Sequence, residues 1–355
     1  MFTIQGFAYK DCNWLEANYL RSLSLVFLRD FFWSSLGEYR VFFGKSKRNP
    51  EQAPVQTGRQ PKEMAGWAAG NFDAKVLPSR MLTVSELFIY PIKSLGGIAL
   101  NSATLTDRGF EHDRRWMLVD DNNQFITQRE VNAMALLKPA LTEQGLLIRD
   151  SRTAGEELLV PFEPTVAGTT MVDVWGNHCR ARRVSDEADA WFSKHLSISC
   201  KLMYMPDSTN RFVDGRYAHN KEITSFSDGY PLLLIGQASL DDLNNRLTDP
   251  LPMNRFRPNI VFTGGTAFQE DTMKQFEING ITFYCVKPCA RCVMTTIDQQ
   301  AGTKAKEPLK TLSTYRMKNN KILFGQNLLY NGIGKVSVGN TISIYEKGAV
   351  ELLPD

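Results

Sequence analysis

Short apolar stretches that alternate with polar residues, bounded by turn-forming residues, recur along the chain from Met81 onward. Valine, isoleucine, threonine and aromatic residues are frequent in them, as expected of β-strands that bury one face. The polar run Asp121-Asn122-Asn123 separates two of these stretches and predicts a tight turn. The stretches with this pattern are 81–90, 115–119, 124–127, 281–286, and the pair 336–338 and 341–345, which Gly339-Asn340 would join as a hairpin.

Two segments show helical spacing of their apolar residues. Ser185 can cap a helix whose first turn carries Asp186 and Glu187, with an apolar side made of Ala188, Trp191, Phe192 and His195. The second predicted helix runs over 237–247, with leucines 240, 243 and 247 on one face. Few helices among many strands predict a mostly β or α+β fold with barrel-like architecture.

Residues 1–80 have a different character. Aromatic residues and arginines follow each other without a clean period, and the stretch 44–75 is polar and contains three prolines. Such a composition rarely packs, so we expect a disordered or weakly helical extension, with Met81 as a candidate true start. The apolar run 20–36 is interrupted by Arg21, Arg29 and Asp30, which argues against a membrane span.

Composition narrows the class of protein. The chain has 355 residues, 43% of them apolar, which is enough for two domains with substantial cores. Its net charge of +3 is uneven, because residues 1–80 hold 11 Lys and Arg against 7 Asp and Glu. The remainder is close to neutral and predicts no nucleic-acid partner. Six cysteines without a disulfide framework favour a reducing cytoplasm.

The segment Lys287-Pro-Cys-Ala-Arg-Cys292 is the strongest chemical motif. A zinc site would need further ligands, and the four histidines are scattered and all precede it. A thioredoxin-like redox pair would need a helix beginning at the first cysteine, whereas a strand pattern surrounds this pair. Two inert buried thiols remain an alternative. A thiolate beside Lys287 and Arg291 would have a lowered pKa and would suit a soft metal.

Three further groups of residues could bind an anion. Arg255-Phe-Arg257-Pro-Asn259 places two guanidinium groups and an amide before an apolar strand. Lys93 and Ser94 lie at a strand end before Gly96-Gly97, where a charge, a hydroxyl and free amides can hold a phosphate. Arg114 follows Asp113 and could either face a ligand or form a salt bridge. Each group alone also fits an ordinary surface or turn.

Taken together, these residues resemble the MOSC-domain family with its N-terminal β-barrel domain. The pattern is closest to the mitochondrial amidoxime-reducing component and to bacterial relatives that reduce N-hydroxylated bases. The resemblance covers 82–345 and rests on nine short motifs in the family's order: Tyr90-Pro-Ile-Lys-Ser94, Asp113-Arg-Arg-Trp116, Phe125-Ile-Thr-Gln-Arg129, Val174-Trp-Gly176, Ser227-Asp-Gly-Tyr-Pro231, Arg255-Phe-Arg-Pro-Asn259, Lys287-Pro-Cys-Ala-Arg-Cys292, Glu307-Pro-Leu-Lys-Thr-Leu312 and Phe324-Gly-Gln-Asn327.

The resemblance implies an N-terminal β-barrel-like domain over 82–200, a MOSC β-barrel domain over 220–348 and a molybdenum-pterin cofactor. The metal-ligand cysteine of the family falls on Cys292, and an acid near the metal, a possible proton shuttle, falls on Asp228. Cofactor-holding positions fall on Lys93, Ser94, Arg114, Arg257 and Asn259. The chain departs from the family pattern at Ala290, where serine is frequent, and at Gln128, where alanine is usual.

The implied activity is reduction of N-hydroxylated compounds, with molybdenum taking the oxygen atom. No thiol follows Cys292 and no Gly-x-Gly-x-x-Gly fingerprint occurs, so we expect a separate electron donor: a ferredoxin, flavodoxin or cytochrome with its reductase. The alternative function is a non-catalytic carrier of cofactor or sulfur. MOSC domains also occur in cofactor sulfurases, which have a pyridoxal-phosphate domain for which we expect no room here.

Overall fold

The computed structural model describes residues 81–353, so the expectations for residues 1–80 lie outside the described part of the chain. Three helices occur in that part: α1 Asp186–Leu196, α2 Gln237–Asn244 and α3 Leu309–Ser313. The strands are β1 Leu82–Ile89, β2 Ile98–Leu100, β3 Ser102–Leu105, β4 Trp116–Val119, β5 Leu137–Leu141, β6 Gly145–Asp150, β7 Glu157–Pro161, β8 Thr170–Val174, β9 Asn177–Arg183, β10 Lys201–Tyr204, β11 Leu232–Gly236, β12 Ile260–Thr263, β13 Met273–Ile278, β14 Ile281–Ala290, β15 Met317–Lys318, β16 Lys321–Asn331, β17 Gly334–Ser337 and β18 Thr341–Lys347.

Seven strands close into a barrel in the order β11, β12, β1, β18, β13, β14 and β16, and β16 pairs back with β11. Inward-facing residues such as Val84, Phe262, Phe276 and Phe283 fill its interior. The prediction of a mostly β, barrel-containing fold is therefore confirmed. Strand β1 lies far from the other barrel strands in sequence, and it closes the barrel by pairing with both β12 and β18.

A second core lies under a four-stranded sheet (β4, β10, β9, β8) and a three-stranded sheet (β5, β6, β7). Helix α1 packs Phe192 onto this core, which also contains Trp116 and Leu137. As predicted, Ser185 caps α1, and its Oγ accepts a hydrogen bond of 3.0 Å from the Ala188 backbone N–H. The cap satisfies a donor that the first helical turn leaves free.

Two predictions about elements need correction. Helix α2 ends at Asn244 rather than near 247, because the following backbone tightens into turns. The hairpin across Gly339-Asn340 is wrong: β17 pairs with β3, whereas β18 pairs with β1 and β13. The backbone of Val84 in β1 exchanges hydrogen bonds with Gly339 and Asn340, so the turn serves β1 instead of a local strand pair.

Within residues 81–353, no helix is both long and apolar enough to cross a membrane.

Candidate functional site

One pocket brings together the seven candidate site residues that the sequence indicates. They come from the loops that flank β1, β4, β11, β12 and β14. The first and last of these residues in sequence, Lys93 and Cys292, are almost 200 positions apart, and the tertiary fold brings them together. The residues are Lys93, Ser94, Arg114, Asp228, Arg257, Asn259 and Cys292, and all of them line the pocket.

Three of these residues have a left-handed backbone, with φ values of 67° at Ser94, 50° at Arg114 and 55° at Arg257. Side chains other than glycine rarely adopt this conformation, and such strain concentrates at binding sites. The hydroxyl of Ser94 is buried and has no hydrogen-bond partner. An unpaired buried hydroxyl costs stability, so its presence at the pocket wall indicates a donor held ready for a ligand.

The two cysteines of the motif have different environments. Cys292 precedes the 3-10 turn Val293–Thr296, and its Sγ lies 3.4 Å from the Nε of Arg129, which donates to it. Cys289 Sγ accepts a hydrogen bond of 3.0 Å from Arg291 Nη1 and packs against an apolar cluster. Only the Cys292 sulfur therefore meets a cation from the N-terminal part of the structure.

The expected neighbours of the Cys292 thiol need correction. Lys287 points away from it, with its Nζ 4.5 Å from the centre of the Tyr217 ring. Arg291 bonds to Cys289 and to the backbone carbonyl of Phe256. The cation beside Cys292 is Arg129, which the sequence analysis did not select because it lies 163 positions away.

Lys93 and Asp228 form an ion pair at the pocket wall, with 2.5 Å between Nζ and Oδ1. Burial lowers the pKa of Lys93 to about 8, although Asp228 opposes the shift. Desolvation raises the pKa of Asp228, but Lys93 and then Trp175 and Arg129 outweigh it, so this pKa lies below its ordinary value. The ion pair thus favours the carboxylate form of Asp228, while burial makes Lys93 a weaker base than an exposed lysine.

Arg114 and Arg257 enclose the ring of Tyr90, with guanidinium carbons 4.5 and 4.2 Å from its centre. Arg114 donates to Asp113 at 2.6 Å, so the salt bridge anticipated as an alternative is present, and it also lines the pocket. Burial lowers the pKa of Arg257 to about 10, and this arginine donates to the carbonyl of Leu95. Both guanidinium groups keep further N–H donors for a ligand.

The side-chain amide of Asn259 is already engaged by the protein. Its Oδ1 accepts from Arg114 and from the Leu233 backbone, and its Nδ2 donates to the Phe88 carbonyl. The residue thus ties β12 to β1 and β11 and orients Arg114. This geometry favours a supporting role over direct contact with a ligand.

Two further arginines of the sequence motifs, Arg255 and Arg291, also line the pocket. Arg255 is 4% exposed, and its Nε and Nη1 have no hydrogen-bond partner; its closest acid, Asp298, is 3.9 Å away. Arg291 likewise has a buried Nε without a partner. In the sequence, the motif Arg255-Phe256-Arg257 is the feature that indicates Arg255 as a pocket residue.

Charge and unpaired donors together define what the pocket can bind. Its lining includes five cationic side chains and one carboxylate, Asp228. A pterin with a terminal phosphate fits this wall, because guanidinium groups and a free hydroxyl suit phosphate and ring oxygens. The Cys292 thiol at the same wall can supply a soft ligand to a metal. The cationic residues are Lys93, Arg114, Arg255, Arg257 and Arg291.

Comparison with known proteins gives the same assignment of family. Residues 81–199 match the MOSC N-terminal beta barrel domain, and residues 221–343 match the MOSC domain. The chain is 31% identical to mitochondrial amidoxime reducing component 2 of Bos taurus and 30% identical to component 1 of Mus musculus. These matches cover 73% of the chain and 82% and 81% of the relatives.

A molybdenum cofactor sulfurase of Oryza sativa subsp. japonica is 32% identical over 269 residues, which are 70% of this chain and 33% of the sulfurase. The chain thus spans about a third of that relative and about four fifths of the amidoxime-reducing relatives. Two domain matches in the family's order, and relatives above 30% identity with high coverage, lead to one assignment. The chain belongs to the MOSC-domain family, with the N-terminal β-barrel domain preceding the MOSC domain.

Proposed function

We propose that the pocket binds a molybdenum-pterin cofactor and that the protein reduces N-hydroxylated compounds. The observation that carries the proposal is the convergence of the Cys292 thiol, five cationic side chains and the unpartnered Ser94 hydroxyl on one pocket. The relatives named amidoxime-reducing components, which the chain matches over about four fifths of their length, support the reaction class.

In this proposal Arg255 and Arg257 bind the anionic end of the cofactor, Ser94 donates to it, and Cys292 holds the metal. When bound, the cofactor supplies oxygen-atom transfer and two-electron redox chemistry. Arg114 is held by Asp113 and Asn259, so its orientation is set before binding. Preorganised donors avoid part of the ordering cost of ligand binding.

The Lys93–Asp228 pair is the candidate proton source near the reacting centre. Asp228 is ionised, and its carboxylate stabilises a proton on Lys93 Nζ at 2.5 Å. Because the pKa of Lys93 is about 8, this ammonium can give up a proton near neutral pH at low cost. The expected role of Asp228 as a shuttle thus becomes shared: Lys93 holds the proton and Asp228 orients it.

We propose the cytoplasm as the compartment, since the five cysteines in the described residues are free thiols.

The proposed function is tested by metal and pterin analysis of purified protein, followed by anaerobic turnover of an amidoxime with reduced viologen. We expect stoichiometric molybdenum and product amidine. Stoichiometric zinc, or no metal from a host that makes the cofactor, would contradict the proposal.

The second candidate function is a carrier that holds the cofactor or its sulfur without turnover. The match to a cofactor sulfurase favours it, since that match extends over 70% of this chain. The same experiment separates the two, because a carrier would hold molybdenum and leave the amidoxime unreduced.

A further inference from the structure

Arg129 is the side chain through which the N-terminal domain reaches the Cys292 sulfur. Its Nε donates to Sγ over 3.4 Å, and its Nη2 lies 3.7 Å from Oδ2 of Asp228. The guanidinium carbon is 4.4 Å from the centre of the Trp175 ring. One planar cation therefore contacts the candidate metal ligand, the neighbouring acid and an aromatic face at once.

Trp175 lies at the tip of the hairpin between β8 and β9, where it has φ 58° and the following Gly176 has φ 76°. Two consecutive left-handed residues form the tight turn that this hairpin needs. The indole Nε1 donates to Asp228 Oδ1 over 3.2 Å. Trp175 is 47% exposed, so specific contacts with Arg129, Phe125 and Asp228 hold it.

The backbone that carries Arg129 is also anchored. The neighbouring Gln128 is fully buried and donates to the carbonyl of Ser94 over 2.6 Å. Its side-chain oxygen accepts from Gln299, which follows Cys292 by seven positions. The Arg129 backbone N–H donates to Thr127 Oγ1 over 3.2 Å. The base and the tip of Arg129 are thus both fixed relative to the Cys292 loop.

We propose that Arg129, clamped by Trp175, is a positioning residue for the Cys292 thiolate and tunes the metal bound to it. The inference rests on the proposed function, because it takes Cys292 as the metal ligand. An N–H···S hydrogen bond withdraws electron density from a ligating sulfur, so the metal accepts electrons more readily. The Nη2 of Arg129 pairs with the carboxylate of Asp228, and its Nε donates to the sulfur of Cys292.

The experiment compares the wild-type holoprotein with Arg129→Leu, Arg129→Lys and Trp175→Leu. Molybdenum and pterin content are measured first, and the midpoint potential of the molybdenum is then followed by electron paramagnetic resonance in a redox titration. We expect Arg129→Leu to shift the potential to more negative values and to change the spectrum. Arg129→Lys should shift it less, since the charge remains, and Trp175→Leu should shift it in the same direction as Arg129→Leu.

The matched control is Arg115→Leu, which removes another arginine stacked on an aromatic ring, 5.1 Å from the centre of Tyr204 and outside the pocket lining. Its potential should equal that of the wild type. Unchanged potential and spectrum in metal-loaded Arg129→Leu would overturn the inference and leave the proposed function standing. If Arg129→Leu does not fold, wild-type values in Arg129→Lys and Trp175→Leu would overturn it equally. Wild-type protein without molybdenum would overturn both.

Discussion

The two cysteines that line the pocket are three positions apart, yet their sulfur atoms meet different neighbours. Cys292 Sγ accepts from Arg129, whereas Cys289 Sγ accepts from Arg291 and packs on apolar side chains. We expect Cys292→Ser to lower the turnover rate by at least about 100-fold and to change the absorption spectrum of the bound molybdenum. A hydroxyl is a poor replacement for a thiolate as a ligand of this metal. Cys289→Ser should have a far milder effect. Equal losses in molybdenum content and turnover would instead indicate a cysteine pair acting together.

Arg255 gives a prediction in which stability and binding change in opposite directions. Its buried guanidinium has two nitrogens without hydrogen bonds, and burial lowers its pKa. Replacing a poorly paired buried charge with an apolar side chain is often stabilising. We expect Arg255→Met to stabilise the cofactor-free protein by about 1 kcal/mol and to reduce cofactor retention. Urea unfolding and pterin analysis measure the two effects.

The control for this prediction is Arg108→Met. Arg108 is 3% exposed, against 4% for Arg255, but it is fully partnered by Asp107 and by two backbone carbonyls. Its loss leaves the carbonyl of the buried Thr209 without its donor and should destabilise the protein by about 2 kcal/mol. If Arg255→Met destabilises the cofactor-free protein to the same extent, Arg255 is a structural residue.

Local motifs predicted which side chains meet at the pocket, because each motif places its own residues beside a strand end. They could not predict Arg129 and Trp175, whose contacts with Cys292 and Asp228 depend on how distant loops pack. Nor could they show that the side-chain amide of Asn259 forms hydrogen bonds with the backbones of β1 and β11. These relations depend on distances that a single sequence does not contain.

At the scale of elements, the strand pattern was informative and the pairing was not. The segments around 336–338 and 341–345 are extended as predicted, but each pairs with a strand more than 200 positions away. Strand β18 pairs on both sides, with β1 and β13, whereas β17 pairs with β3 outside the barrel. The alternation of apolar and polar residues within a strand does not identify a partner strand that is distant in sequence.

Glu270 in the 3-10 turn Gln269–Thr272 makes the stability of this region depend on pH. It is fully buried below β11 and α2, where its carboxyl group accepts from Gly236 and Ser239. Desolvation raises its pKa from 4.5 to about 7. The native state therefore favours the protonated form, and this contribution to stability is present below about pH 4.5 and is lost as pH rises through about 7.

We expect Glu270→Gln to stabilise the protein by about 2 kcal/mol near pH 8, with the gain vanishing near pH 4.5. The amide keeps an acceptor for Gly236 and can donate to Ser239. Urea unfolding of the cofactor-free protein at several pH values measures the effect, and Glu143→Gln at an exposed position is the control. A stability difference that does not change with pH would show that the carboxyl group does not titrate in this range.

For the whole molecule, β1 makes the two matched segments depend on each other. It lies within the N-terminal match, yet it forms part of the barrel between β12 and β18. Without it, two strand edges are exposed and the barrel loses Val84 and Leu87 from its core. We expect a chain of residues 221–355 to be unfolded or aggregated by circular dichroism and gel filtration, whereas residues 81–355 should fold. A monomeric, folded 221–355 chain would contradict this interdependence.

The proposed reduction needs two electrons from a donor. No Gly-x-Gly-x-x-Gly fingerprint for binding a dinucleotide occurs in the sequence. We therefore propose that a separate ferredoxin, flavodoxin or cytochrome with its reductase delivers electrons through a small, transient interface. In an anaerobic assay with an N-hydroxylated substrate, NADH alone should give background rates, and reduced viologen or ferredoxin with its reductase should support turnover. Robust turnover with NADH alone would mean that the chain itself accepts hydride, and the separate donor would then be unnecessary.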